Sequence, residues 1–283
     1  MPYQLVHHKN GSTSVACTDN GEIMHPTVGP EIEAQTLYID GLRLADRLVG
    51  GRELVIWDIG MGAASNALAV LDRFHDASGP IRLLSFDHTD QALRFASQQA
   101  AHFPSLERHS TAVHELLDTG RTQVGAVEWT FIEADFPTWL AEESSAPAPH
   151  AVFHDAWSPK SNPAMWTLSL FQQLRERVAA DAALATYSRA TCIRSALLLA
   201  GFHVGRGPAI GVKEETTLAA TSPDWLKDPL PPAWLNKAER SHSGRPFLRN
   251  EFEQAPLSRN QMQQLRAHPQ FRSPDGSEQK LTE

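Results

Sequence analysis

Cysteine is almost absent. Cys17 and Cys192 are the only two in 283 residues. They are too few for a disulfide framework and match no zinc spacing, so no metal site is expected, and both read as reduced, buried thiols. Long apolar runs are missing too, which excludes a membrane-spanning helix. The N-terminal MPYQLVHHKNGS has no apolar signal-peptide core, and a cytoplasmic protein is the expectation. Basic residues are also short: 25 Lys and Arg against 33 Asp and Glu leave a net charge of −8. This argues against a strongly cationic nucleic-acid surface over the whole chain but allows a local patch. Between Thr186 and Asn250 nine basic residues stand against five acidic ones, so the acidity lies elsewhere.

What is present is alternation. Apolar strand-like runs occur at Glu53–Asp58, Ile81–Phe86, Val127–Glu133, Ala151–Asp155 and Ala183–Tyr187. Helical spacing separates them at Ala63–Phe74, Asp90–Ala101, Ser105–Asp118, Pro163–Ala179 and Ala190–Ala200, with a short segment at Phe136–Glu142. Asn162 is the expected cap of the helix that opens at Pro163, and Gly201 a natural helix stop. Such alternation predicts an α/β fold with a mostly parallel, doubly wound sheet. Phe202–Arg206 and Thr216–Thr221 have no helix between them and read as a terminal antiparallel hairpin. Residues 1–50 read as a strand-rich N-terminal extension and 51–222 as the sheet domain. Residues 223–283 read as a Pro-containing C-terminal extension, partly flexible, its last stretch from about Ser258 polar and mobile.

The chemistry lies at the strand ends. DIGMGAASNA follows the first core strand and supplies Asp58, Gly60, Gly62 and Asn66. Glycines there let a backbone approach a ligand and turn sharply into a helix; the third glycine position carries Ala64. The next strand ends in Asp87, where a carboxylate can accept both hydroxyls of a ribose. The third leads to Asp135, placed to accept from an adenine amino group, and the fourth ends in Asp155. Four acids along one edge suit a ligand with a positive centre and several donors. S-adenosylmethionine (SAM) meets that description. NAD meets it poorly, because acids repel its pyrophosphate.

These residues carry a resemblance. DAWSPKSNPAMWTLSLF, from Asp155 to Phe171, resembles the signature loop of the tRNA 5-methylaminomethyl-2-thiouridine methyltransferases, the methyltransferase half of MnmC. Asp155, Pro159, Asn162, Pro163, Met165 and Trp166 match that pattern, and Trp157 stands where the family has Phe. Ala185–Val204 and the segment GPAIGVKEETTLAAT are similar to later family segments, with Gly211, Lys213 and Glu214 in place, Glu214 replacing the usual Arg. Gly29–Leu44 is a fainter match. The glycine loop departs: Gly60-Met61-Gly62-Ala63-Ala64-Ser65-Asn66 replaces Gly-Phe-Gly-Thr-Gly-Leu-Asn.

The resemblance implies a Rossmann-like class I SAM-dependent methyltransferase that methylates the aminomethyl group of a modified wobble uridine in tRNA. It implies SAM held by Asp58, Gly60, Gly62, Asn66, Asp87 and Asp135. Asp155 would act on the acceptor amine, and Trp157, Pro159 and Lys213 would contact the substrate. No flavin-binding oxidase domain follows, so a separate oxidoreductase partner is expected to unmask the amine. Arg189, Arg194, Lys213, Arg240 and Arg245 are candidate phosphate contacts. Trp166 and His154 are expected to be structural. Two other readings stay open: methylation of a small amine or other substrate, and a non-catalytic module that keeps the fold.

Overall fold

The computed structural model describes residues 2–25, 28–142, 145–211 and 214–272. A hairpin comes first, β1 (Tyr3–His7) paired antiparallel with β2 (Thr13–Cys17). Helix α1 (Pro30–Glu33) runs into a π-helical stretch, Ala34–Asp40, and then α2 (Leu44–Arg47). The alternating region holds β3 (Leu54–Ile59), α3 (Ser65–Phe74), β4 (Ile81–Asp87), α4 (Gln91–Ser97), α5 (Pro104–Arg108) and α6 (Ser110–Thr119). It continues with β5 (Arg121–Val124), β6 (Val127–Glu133), α7 (Phe136–Glu142), β7 (Ala151–His154), α8 (Leu168–Arg177), β8 (Ala183–Thr186) and α9 (Thr191–Leu199). Strands β9 (His203–Gly207) and β10 (Thr216–Ala220) follow, then α10 (Trp234–Arg240) and α11 (Arg259–Arg266).

Eight strands form one sheet in the order β5-β6-β4-β3-β7-β8-β10-β9. From β6 to β8 the neighbours are parallel. The expected hairpin is present: β10 pairs antiparallel with both β9 and β8. Every residue of β3 is buried, as a strand covered on both faces requires. Leu54 and Ile56 pack on one face with the π-helical stretch and α3 to α6. Val55, Trp57 and Ile59 pack on the other with α7 to α11. The chain leaves β3 for β4 on one side and later returns to β7 on the other. The strand order therefore reverses beside β3, and a crevice opens there at the carboxyl ends of the strands.

Several elements differ from the sequence expectation. Residues 30–47 are helical rather than strand-rich, and Leu37, Tyr38, Leu42 and Leu44 lie in the core of the sheet. Ser105–Asp118 is two helices, and β5, absent from the sequence reading, follows them and pairs antiparallel with β6. From Ser258 to Arg272 the chain is folded rather than loose. Helix α11 carries a Ser258–Gln261 capping box, and Met262 and Leu265 are buried. Residues 273–283 lie outside the described residues. Among the described residues no helix is long and apolar enough to cross a membrane.

The single helix expected over Pro163–Ala179 is broken. A 3₁₀ turn, Pro163–Trp166, precedes α8. Thr167 between them is extended because it bridges Phe247, whose carbonyl accepts from Leu168 N at 2.9 Å. Thr167 is therefore the cap: its Oγ1 accepts from Leu170 N at 3.2 Å. Asn162 makes no capping bond. Thr167→Ala is expected to destabilise the protein by about 1 kcal/mol, and Asn162→Ala by less than about 0.5 kcal/mol. Urea unfolding of both variants checks this; equal losses would return the cap to Asn162.

Candidate active site

A cavity of about 470 Å³ lies at the strand-order reversal. Ile59, Phe86, Ala92 and Phe136 give it apolar walls, and Glu22, Glu33, Asp87, Asp135 and Asp155 face it with carboxylates. Five acids against the two lining histidines, His25 and His88, suit a cationic ligand. An aromatic group supports the apolar wall, with Trp57 edge-on to Phe86 at 5.6 Å and to Trp139 at 5.3 Å between ring centroids.

Of the residues singled out in sequence, Gly60, Gly62, Asp87, Asp135, Asp155 and Trp157 line this cavity. Gly60 has φ 92°, and a Cβ there would meet the Asp155 carbonyl oxygen at 2.7 Å. This glycine lets the loops after β3 and β7 touch. The Gly62 N–H donates to Asp87 Oδ2 at 2.9 Å, so the glycine loop is tied to the end of β4. Ala64 keeps a left-handed backbone, φ 64°, where the sequence pattern puts glycine; an L-residue adopts it at a cost of roughly 1–2 kcal/mol. Asp135 Oδ2 accepts from Thr138 Oγ1 at 2.6 Å, at the start of α7.

Asp58 and Asn66 do not line the cavity. They lie behind its wall, 0% and 2% exposed. Both belong to a buried network. Trp129 Nε1 donates to Ser85 Oγ at 2.9 Å, and Ser85 Oγ to Asp58 Oδ2 at 2.8 Å. Asn66 Nδ2 reaches Asp58 Oδ1 at 3.5 Å and donates to Asp155 Oδ2 at 2.9 Å. Burial drives the Asp58 pKa up to about 7; the Ser85 hydrogen bond opposes it, and the Asp155 charge adds to it. Pro159 is half-buried in the loop and is not a lining residue. Lys213 lies outside the described residues.

The loop after β7 is held from both sides. Trp166 is fully buried, and its indole N–H donates to the Trp157 carbonyl at 2.8 Å. Tyr187 OH donates to the Ala156 carbonyl at 3.0 Å. His154 is buried beneath, with Nε2 2.8 Å from the Met165 carbonyl. Burial lowers its pKa to about 4, the Met165 hydrogen bond opposing, so it is neutral and structural. From outside, Glu22 accepts from Ser158 Oγ at 2.5 Å and Ser158 N at 3.1 Å, and also from Ser161 Oγ. Burial works against the Glu22 charge, but these bonds outweigh it and hold the pKa below its ordinary value.

Sequence reasoning missed Glu22, His25 and Glu33. All three reach the cavity from the N-terminal segment, which the sequence alone sets apart as an extension. The one available signal was the faint family match at Gly29–Leu44, which includes Glu33. Asp155 itself is shifted upward. Burial dominates and Glu33 adds to it, while His25, Asn66 and Tyr38 pull the other way. The basic residues fare unevenly. Arg194 is 1% exposed and bonded to Glu215, Thr217 and the Thr216 carbonyl, so it is a structural cation and not a phosphate contact. Arg245 pairs with Glu253.

Residues 123–222 match the family model described as S-adenosyl-L-methionine-dependent methyltransferase. Over 219 residues the chain is 31% identical to the tRNA 5-methylaminomethyl-2-thiouridine biosynthesis bifunctional protein MnmC of Ralstonia nicotianae, covering 72% of this chain and 32% of that protein. The protein of the same name from Methylibium petroleiphilum is 28% identical over 223 residues, covering 76% and 34%. The chain spans about a third of the length of the curated relatives it matches. Among solved structures, MNMC2 from Aquifex aeolicus has the same fold, with a TM-score of 0.71 and 22% identity over 93% of this chain and 84% of that one. The chain is an S-adenosyl-L-methionine-dependent methyltransferase with the Rossmann-like class I fold, and it is similar to the MnmC proteins. The cavity fits that cofactor in size, in its apolar walls and in the carboxylates that can face a sulfonium and an ammonium.

Asp58 gives the site a measurable signature. Its folded pKa, about 7, lies above the ordinary aspartate value of 3.8. The folded state therefore binds the proton more tightly, and this contribution is full below about pH 4 and lost as pH rises through about 7. Asp58→Asn mimics the protonated acid. Relative to wild type, its stability should rise between those limits by a few kcal/mol at most and then level off, as read from urea unfolding at several pH values. A difference independent of pH would mean that Asp58 is ionised throughout.

Proposed function

We propose that the protein methylates the primary amine of an aminomethyl-substituted wobble uridine in tRNA, with Asp155 as the group that serves the amine. The observation that carries this reading is the placement of Asp155. It directly follows β7 at the strand-order reversal, on a loop braced by Trp166, Tyr187 and Glu22, beside Trp157 and inside an acid-lined cavity. The names of the relatives supply the substrate class.

Bound SAM supplies a methyl group on a positively charged sulfur. The chain's own residues do the rest. Asp87 and Asp135 would accept hydrogen bonds from the cofactor's hydroxyl and amino groups, and Phe86 and Phe136 would pack on its apolar part. Asp155 accepts a hydrogen bond from the acceptor amine, orients its lone pair and takes up the proton that the methylated nitrogen sheds. Trp157 offers an aromatic face to a base and keeps water away. A separate oxidoreductase acting earlier would expose the amine, and a tRNA substrate implies a cytoplasmic reaction.

The test is to incubate purified protein with SAM and tRNA carrying 5-aminomethyl-2-thiouridine, digest the RNA and weigh the nucleosides. One added methyl on the modified uridine supports the reading. Methylation of free small amines with the tRNA untouched would replace it, and SAM binding with no transfer would leave a binding module. Within the enzyme two variants should separate binding from chemistry. Asp87→Ala is expected to weaken SAM by at least about tenfold in calorimetry. Asp155→Asn is expected to slow single turnover by about 10²–10⁴ while changing SAM affinity much less. Normal turnover in that variant would make Asp155 structural.

A further inference from the structure

His25 lies between two carboxylates. Its Nδ1 is 3.7 Å from Glu33 Oε2, and its Nε2 is 3.9 Å from Asp155 Oδ2. A neutral imidazole carries one N–H and would turn a bare nitrogen toward one of the acids; only the imidazolium offers a proton to both. The residue is held in place against its own preference. Its backbone is left-handed, φ 54°, a conformation uncommon for any residue but glycine. Ser14 Oγ fixes it by donating to the His25 carbonyl at 3.2 Å, and the preceding Met24 N–H donates to the Val15 carbonyl at 2.9 Å. On the far side of Asp155, Asn66 also approaches Oδ2. His25 and Asn66 thus approach the same carboxylate oxygen.

We propose that His25 is a positioning residue: a fixed imidazolium that keeps Asp155 ionised and able to serve the acceptor amine, with Glu33 anchoring it from behind. The inference rests on the reading of Asp155 as the partner of that amine. Asp155 is faced by Glu33 from α1, Asp58 from β3, Asn66 from α3, and the hydroxyl-bearing Tyr38 and Tyr187. The two acids and burial all favour a protonated Asp155, which could take no further proton from the amine. The cation that opposes them in an ion pair, among the described residues, is His25. Burial works against its charge, but Glu33, then Asp155 and Asp58, outweigh it and raise its pKa to about 9. It therefore stays charged through neutrality and cannot itself be the base.

The test begins with the ligand-free protein. In isotope-labelled wild type, the His25 ring should titrate well above the ordinary value of about 6.5. In His25→Asn, chosen because Asn tolerates a left-handed backbone, the Asp155 carboxyl carbon should titrate at higher pH than in wild type. With SAM and the tRNA acceptor, the acid limb of the kcat profile should move up with it, at about tenfold in rate per unit, and SAM affinity should change by less than about threefold. If His25→Asn does not fold, Glu33→Gln serves instead, and the His25 ring should then titrate closer to its ordinary value. A wild-type ring that titrates at or below that value, or an Asp155 signal unmoved by the loss of His25, overturns the proposal. Because the titrations use no acceptor, a carboxyl shift in a protein that methylates no amine leaves the pairing standing and removes only the reading of the acceptor.

Discussion

Everything at the site hangs on one buried polar thread. It runs from Trp129 on β6 through Ser85 on β4 and Asp58 on β3 to Asn66 on α3, and ends on Asp155 beyond β7. A carboxyl group such as Asp58, with no exposure at all, is tolerated in a sheet interior only when its oxygens are satisfied. Satisfying them fixes the relative heights of three neighbouring strands and the first turn of the helix after β3. The cavity is the space left above that thread. Its walls are set by aromatic packing, its charge by the acids that the parallel strands deliver to one edge.

Charge then decides what the cavity can hold. Carboxylates line it from β4, from the segments after β6 and β7, and from the N-terminal region. Burial first, and then a neighbouring carboxylate, pushes Asp58 and Asp155 upward: Asp155 acts on Asp58, and Glu33 acts on Asp155. A cationic ligand relieves this repulsion, and an anionic one would increase it. Under the proposed function, the same reasoning keeps the phosphates of a nucleic acid out of this cavity.

Much of the sheet was legible because its signals are local. Period, caps and the acids at strand ends are read within a few residues, and Asp87, Asp135 and Asp155 fell where alternation placed them. What was not legible depended on contacts between distant parts of the chain. Asp58 and Asn66 look like ligands in sequence because they flank a glycine loop; only their partners on other strands reveal them as the support beneath it. Arg194 looks like a surface cation until Glu215 and Thr217 close around it. Thr167 became the cap of α8 because Phe247, 80 residues on, claims its backbone. His25 and Glu22 gave no local signal at all, for a histidine or a glutamate in a loop is ordinary until the loop is seen to fold over a cavity.

The bond between Glu22 and Ser158 joins residues 136 apart in sequence. Such a contact carries the entropy of closing a long loop. It is the opposite of the local βα pairings that build the sheet. The sheet is thus held by neighbours in sequence, whereas the covering of Asp155 is held by contacts between the first 25 residues and the far side of the molecule.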